Sequence, residues 1–331
     1  MRTYIIAEIG VNHNGKLSLA KEMIDKASEC GVDCVKFQTY KSENLVSSCA
    51  KMADYQVKNT NHEESQLQML KKLELSYPQF EELKVYCEKK NVQFLSTPFD
   101  FESIDFLNQL SVPFWKIPSS EITNYPYLKK ISQTHKDIVL STGMSTLEEV
   151  AAALGVLRKN GSENISLLHC VTEYPTPFNQ VNLRAMNTLR ATFNLPVGYS
   201  DHTMGIEVPI AAVAMGAVII EKHFTLDNNL PGPDHKASLM PVPFKAMVDC
   251  IRNIELAIGD GAKVPCECEI KNIAVARKSI IAKTDIKKGE EFSEDNITVK
   301  RPGNGVSPMK WENVIGKKAI KDFSVNELIQ I

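Results

Sequence analysis

Eight short apolar runs recur along the chain with helix-like stretches between them: Tyr4–Glu8, Cys34–Gln38, Phe94–Thr97, Phe114–Ser119, Ile138–Ser141, Ile165–Cys170, Val197–His202 and Ala217–His223. Apolar runs of this length, separated by helical patterns, are those of strands in a parallel sheet. Eight strand–helix units in roughly 260 residues match the size and rhythm of a (β/α)8 TIM barrel, whose chemistry sits at the C-terminal ends of the strands. Those ends carry Glu8, Lys36, Gln38, Thr97, Lys116, Ser119, Ser141, His169, Ser200, His202, Glu221 and His223. A barrel that only supports itself has no need of such a ring, so the pattern predicts an enzyme.

Two departures from the repeat shape the domain organisation. Between Tyr40 and Tyr77 lies a polar stretch, SENLVSSCAKMADYQVKNTNHEESQ, with a helical pattern from Leu67 to Leu75. It is longer than an ordinary βα loop, and after a barrel strand such a loop lies over the active-site face, so a partly ordered lid is expected. After the last barrel helix, predicted over Phe244–Ile258, the text GDGAKVPCECEIKN is rich in Gly, Pro and charge. The division that follows is a barrel over 1–260, a linker over 261–274 and a small β-rich domain over 275–331 with turns at KKGE, SEDN and PGNG. From Lys271 onward there are 12 Lys/Arg against 8 Asp/Glu, so this piece is +4 and the remainder −6. A small basic domain of this kind suits an anionic ligand or an acidic neighbour, or is simply a solvated surface.

Composition narrows the function classes. A net charge of −2 over 331 residues offers no bulk attraction for nucleic acid or an anionic membrane. The start, MRTYIIAEIGVNHNG, is interrupted by Glu8 and His13 too early for a signal peptide, and no run approaches a membrane span. The 8 cysteines are scattered, as in a cytoplasmic protein with reduced thiols. Cys266 and Cys268 lack further Cys or His nearby for a zinc site, and no GxGxxG or P-loop points to a dinucleotide or ATP.

Three constellations carry chemistry. His202 and His223 end neighbouring strands about 4.8 Å apart, so both imidazoles can converge on a first-row divalent metal with positions left for water and substrate; the bland alternative is hydrogen bonding in the barrel mouth. Lys36 and Lys116 end otherwise apolar strands, where a buried ammonium needs an anion. A phosphate or carboxylate cradled with Gln38, Thr97, Ser119, Ser141 and Ser200 answers that need, and a Schiff base to a carbonyl substrate is the alternative. Glu8, Glu121 and Asp234 are acid–base or hydroxyl-anchoring candidates, the latter two being surface loop charges on the plainer reading.

The stretches IIAEIGVNHNG, VKFQTYK, FLSTPFD, WKIPSSEITNYPYL, LSTGMS, LLHCVTEYPTP, GYSDHTMG, IEKHFTLDNNLPGPDHKAS and VKRPGNGVSPM resemble the motifs of sialic acid synthases, the family of N-acetylneuraminate synthase and its legionaminate and pseudaminate relatives. The resemblance runs from Ile5 to about Gly316. It implies a barrel followed by a C-terminal antifreeze-like (SAF) domain, and a domain-swapped homodimer in which each small domain closes the partner's active site. It implies condensation of phosphoenolpyruvate with the open-chain aldehyde of N-acetylmannosamine, giving a nine-carbon keto acid and phosphate with C–O bond cleavage. The nearest alternative is the same chemistry on a diacetamido hexose; a Schiff-base aldolase built on Lys116 and a non-catalytic binding protein stand further off.

By the same resemblance His202 and His223 bind the divalent ion, manganese before magnesium or cobalt. Lys36, Lys116, Ser119, Ser141 and Ser200, with Asn61 from the long loop, hold the phosphate and carboxylate. Glu8 does acid–base work on the phosphoenolpyruvate-derived intermediate, while Glu121 and Asp234 grip sugar hydroxyls. Tyr174, Gln38 and Phe99 line the sugar side, and Arg301 of the partner contacts the N-acetyl group. Two positions depart from the family pattern: Thr172 stands where some members have an Asn that contacts phosphoenolpyruvate, and Ser120 replaces the more usual Gly before Glu121.

Overall fold

Strands β1 (Tyr4–Gly10), β2 (Cys34–Thr39), β3 (Gln93–Pro98), β4 (Trp115–Ile117), β5 (Ile138–Ser141), β6 (Ile165–Cys170), β7 (Val197–Asp201) and β8 (Ile219–His223) coincide with the eight apolar runs. All are parallel, in the hydrogen-bonded order β3-β2-β1-β8-β7-β6-β5-β4. The end strands β3 and β4 lie against each other, so the sheet closes as a TIM barrel. This computed structural model describes residues 2–47, 49–53, 56, 57, 59 and 64–331. The chain divides into two compact units, Met1–Gly259 and Asp260–Ile331.

The strands read as near-continuous apolar text because both faces are covered, by the barrel interior on one side and the helices on the other. Ile5, Ile6, Ala7 and Ile9 of β1 are all fully buried. Each strand is followed by a helix, the first Leu17–Glu29 and the last Pro241–Ala257. Local chemistry starts several of them: Asp100 accepts from the Ser103 amide at 2.8 Å to begin the helix Phe101–Gln109, and also takes the Lys41 amide at 2.7 Å. β4 is shorter than its apolar run because Pro118, which lacks an N–H, ends the ladder; Ser119–Glu121 then form a single 3-10 turn.

The excursion after β2 carries the helices Ser42–Leu45 and Gln66–Leu73, the second close to the expected Leu67–Leu75. Its Met52, Met69, Leu70 and Leu73 pack with Val11 and Tyr40 into a small apolar cluster. Asn61 lies outside the described residues.

In the second unit β9 (Ser279–Ala282) and β10 (Ile297–Lys300) form an antiparallel pair over a core that includes Ile280, Ile286, Phe292 and Phe323. The stretch expected as a linker, 261–274, is largely helical: the helix Glu267–Ala276 begins there, its first turn closed by the Cys266 amide donating to Glu269. Gly and Pro end at Pro265, and the ECEIKNIAVA that follows contains neither. Among the described residues no helix is long and apolar enough to cross a membrane.

Candidate active site

A cavity of about 470 Å³ opens at the C-terminal ends of the barrel strands. Its wall brings together Glu8, Lys36, Gln38, Thr97, Phe99, Lys116, Ser119, Glu121, Ser141, Thr172, Tyr174, Ser200, His202, His223 and Asp234. Arg301 belongs to the second unit, where its Nε donates to the Ala276 carbonyl at 3.0 Å. His169, the last but one residue of β6, does not line the cavity and instead bonds the Val181 carbonyl at 2.8 Å.

Register places the charged floor. Glu8 is the partner of Lys36 on β2 and of His223 on β8, so the three side chains leave the barrel wall side by side. Lys36 Nζ donates to Glu8 Oε1 at 2.6 Å, Gln38 Nε2 reaches the same oxygen at 3.1 Å, and Glu8 Oε2 lies 3.4 Å from His223 Nε2. Glu221, two residues before His223 and therefore on the same face of β8, completes the floor. Its Oε1 accepts from Ser200 Oγ at 2.8 Å and pairs with Lys116 Nζ at 3.3 Å, and its Oε2 stands 3.8 Å from Lys36 Nζ. The lysines expected to wait for a substrate anion are thus already balanced by two buried glutamates. Glu221 was in the strand-end ring, but sequence reasoning gave it no role; the signal was its period-2 relation to His223.

The charges are set by this company. Burial opposes ionisation of Glu8, but attraction to His223, Lys36 and Lys116 and the hydrogen bond from Lys36 outweigh it, holding the carboxyl well below the usual carboxylate range. Burial also works against the Lys36 ammonium, yet Glu221 and Glu8 raise its pKa above the ordinary lysine value, so it remains a cation. Asp234 goes the other way: burial raises its carboxyl, with Glu8 adding to the effect and His223 and Lys36 opposing it.

His202 and His223 stand with ring centroids 5.6 Å apart, and Tyr174 packs against the first at 4.2 Å. His202 Nδ1 donates to the Val171 carbonyl at 2.6 Å, which leaves Nε2 with its lone pair. Burial, then the neighbouring His223, pushes its pKa down to about 4, so the ring is neutral at physiological pH. A backbone carbonyl on the far nitrogen is the usual outer contact of a metal-bound imidazole. His223 Nδ1 is buried without a hydrogen-bond partner. Among the described residues no group of three or more His, Cys, Asp or Glu is arranged to hold an ion, and the two neighbouring imidazoles are the donor set the sequence pointed to. That set fits the borderline divalent ion expected from the sequence.

The opposite wall is made by hydroxyls around a glycine. Gly143 donates its amide to Ser119 Oγ at 2.9 Å, and a Cβ there would sit 2.5 Å from Thr172 Oγ1 and 2.8 Å from Ser119 Oγ. Any side chain at position 143 would therefore have to displace these hydroxyls. Cys170, 3.2 Å from Ser119 Oγ, also lines this wall and escaped sequence reasoning. Ser141 Oγ is buried with no partner, a donor available to a bound anion.

Comparison with known proteins gives consistent relationships. Residues 23–263 match the NeuB family and residues 277–331 the SAF domain. The chain is 57% identical over 331 residues to the N,N'-diacetyllegionaminic acid synthase of Campylobacter jejuni, covering 99% of each chain. It is 36% identical over 328 residues to the N-acetylneuraminate-9-phosphate synthase of Homo sapiens, covering 98% of this chain and 91% of that one. Among solved structures, the N-acetylneuraminic acid synthetase of Leptospira borgpetersenii in complex with citrate superposes with a TM-score of 0.73 at 35% identity, covering 82% of this chain and 90% of that one.

Proposed function

The chain belongs to the NeuB family, with a C-terminal SAF domain, and we propose that it condenses phosphoenolpyruvate with the open-chain form of a diacetamido hexose, giving a legionaminic-type nine-carbon keto acid and inorganic phosphate. The observation that carries this reading is the end-to-end identity of 57% to an N,N'-diacetyllegionaminic acid synthase. It reverses the order of substrates expected from sequence alone, in which N-acetylmannosamine came first.

The residues have distinct parts in the proposed reaction. Lys36 and Lys116 receive the anionic groups of phosphoenolpyruvate, with the hydroxyls of Ser119, Ser141 and Ser200 completing the cradle. Lys36, kept protonated between two glutamates, serves as a fixed charge and not as an imine-forming amine. Glu121 and Asp234 accept from hydroxyls of the open-chain sugar. Carbon 3 of phosphoenolpyruvate bonds to the aldehyde carbon, leaving a cation at C2 and an alkoxide that becomes the hydroxyl by taking the second of the two protons the added water releases. Water then bonds to C2 and passes a proton to Glu8, the carboxylate that its neighbours keep ionised. Loss of the second water proton forms the keto group as the C2–O bond breaks and phosphate leaves with the bridging oxygen. His202 and His223 would hold the metal, manganese first, which when bound supplies Lewis acidity toward the aldehyde oxygen.

Purified protein given phosphoenolpyruvate, manganese and either sugar tests the choice of substrate. The diacetamido hexose should exceed N-acetylmannosamine in kcat/KM by at least about tenfold, the scale of one well-placed substituent. A preference for N-acetylmannosamine, or turnover of neither, overturns the proposal.

A further inference from the structure

Glu121 stands on a three-residue turn between β4 and the helix Tyr125–Ser132, so no sheet register fixes its side chain. Its orientation comes from two hydrogen bonds. Asn124 Nδ2 donates to Oε2 at 2.6 Å, and Ser120 Oγ reaches Oε1 at 3.3 Å. The other end of the Asn124 amide caps the following helix, Oδ1 accepting from the Tyr127 amide at 3.3 Å. Tyr127 is itself anchored: its ring is buried and its hydroxyl donates to the Pro98 carbonyl at the end of β3, 2.7 Å away.

One amide therefore does two things that no other side chain of its length combines. Asp caps a helix as well as Asn but has no proton to give; Ser caps with a shorter side chain. The short bond to Oε2 is charge-assisted, whereas the longer bond to Ser120, which like Glu121 lines the cavity, leaves Oε1 as the oxygen that can more readily exchange partners for a ligand.

We propose that Asn124 is a positioning residue, which by donating to Glu121 Oε2 while capping the helix Tyr125–Ser132 aims the carboxylate at the sugar and sets sugar affinity without touching it. The proposal rests on the synthase reading for its ligand, while the contact itself does not.

Two cap-retaining variants test it. Asn124→Asp keeps the acceptor for Tyr127 but sets a second carboxylate against Glu121, and two carboxylates this close cannot both ionise freely. The KM for the N-acylated hexose should rise about tenfold or more with the KM for phosphoenolpyruvate unchanged, and the acid limb of kcat/KM should move to higher pH by about one unit. Asn124→Ser should raise the sugar KM with no movement of the limb. A sugar KM and pH profile like those of wild type in both variants, or equal rises in both KM values, overturns the proposal. Carboxyl 13C NMR reads the contact without turnover: Asn124→Asp should show a coupled pair of carboxylates sharing a proton above the wild-type range, and its absence also overturns the proposal. If that pair appears while wild-type protein turns over no N-acylated hexose, the functional reading fails, and the sugar-affinity claim with it, while the contact stands.

Discussion

Lys116 and Glu221 meet at 3.3 Å although their strands, β4 and β8, are separated by β5, β6 and β7 in the sheet, so the pair spans the barrel mouth. Each is at most 3% exposed, and among the described residues Lys116 has no other ion-pair partner. Removing one member of a buried pair costs about 3–5 kcal/mol, because the other charge is left uncompensated. Glu221→Gln should therefore lower the thermal midpoint by many degrees while preserving the bond from Ser200. Phosphoenolpyruvate should then raise the midpoint more in the variant than in wild type, its anionic groups replacing the lost carboxylate. Equal ligand-induced shifts in thermal unfolding would contradict the pairing.

Asp234 supplies a pH test. Its carboxyl is raised by burial, so the folded state binds its proton more tightly than the unfolded chain does. Stability from this group is present below the ordinary carboxylate pKa, near 4, and is lost as pH rises from there through the raised folded value. Asp234→Asn cannot titrate, so in EDTA-treated protein it should gain stability over wild type across that window and none below it. Unfolding midpoints measured from about pH 3 to 7 check this; parallel curves for the two proteins would count against it.

The strands were legible because their burial is two-sided, and the same rule explains what the strand ends did not reveal. The pairing of Glu221 with Lys116 joins residues 105 apart in the chain across the barrel, a relation that no local period contains. The constraint on Gly143 comes from Ser119 and Thr172, delivered by two other strands, so nothing local in the sequence marks it. The helix Glu267–Ala276 was hidden by the Gly, Pro and charge just before it, which set the reading of the whole stretch. In contrast, the proximity of His202 and His223 was legible in the sequence because adjacent strand ends converge wherever a barrel closes.

Metal removal tests the histidine pair. Chelation should abolish turnover and manganese should restore it. His223→Ala should lose turnover by at least about 100-fold, since charge stabilisation by a bound ion is worth several kcal/mol, with the fold retained by circular dichroism. Full activity in chelator-treated protein would end the metal assignment.

Exchange of small domains between protomers is tested by complementation. Arg301→Ala should weaken sugar binding and His223→Ala should be inactive when each is made alone. If the chain forms a dimer that exchanges small domains, co-expression gives mixed dimers in which the barrel of the first receives an intact arm from the second. Activity well above either parent supports the exchange; no rescue means that the arm serves its own chain.

The central claim is that phosphoenolpyruvate is joined to a sugar aldehyde with cleavage of its C–O bond in the cavity floored by Glu8, Lys36, Lys116 and Glu221. Phosphoenolpyruvate carrying 18O in the bridging position, incubated with the protein, manganese and the diacetamido hexose, tests it most directly. The account predicts sugar-dependent release of phosphate that carries the label, matched one for one by an unlabelled nine-carbon keto acid. Label retained in the keto acid, or phosphate release that does not depend on the sugar, would contradict it.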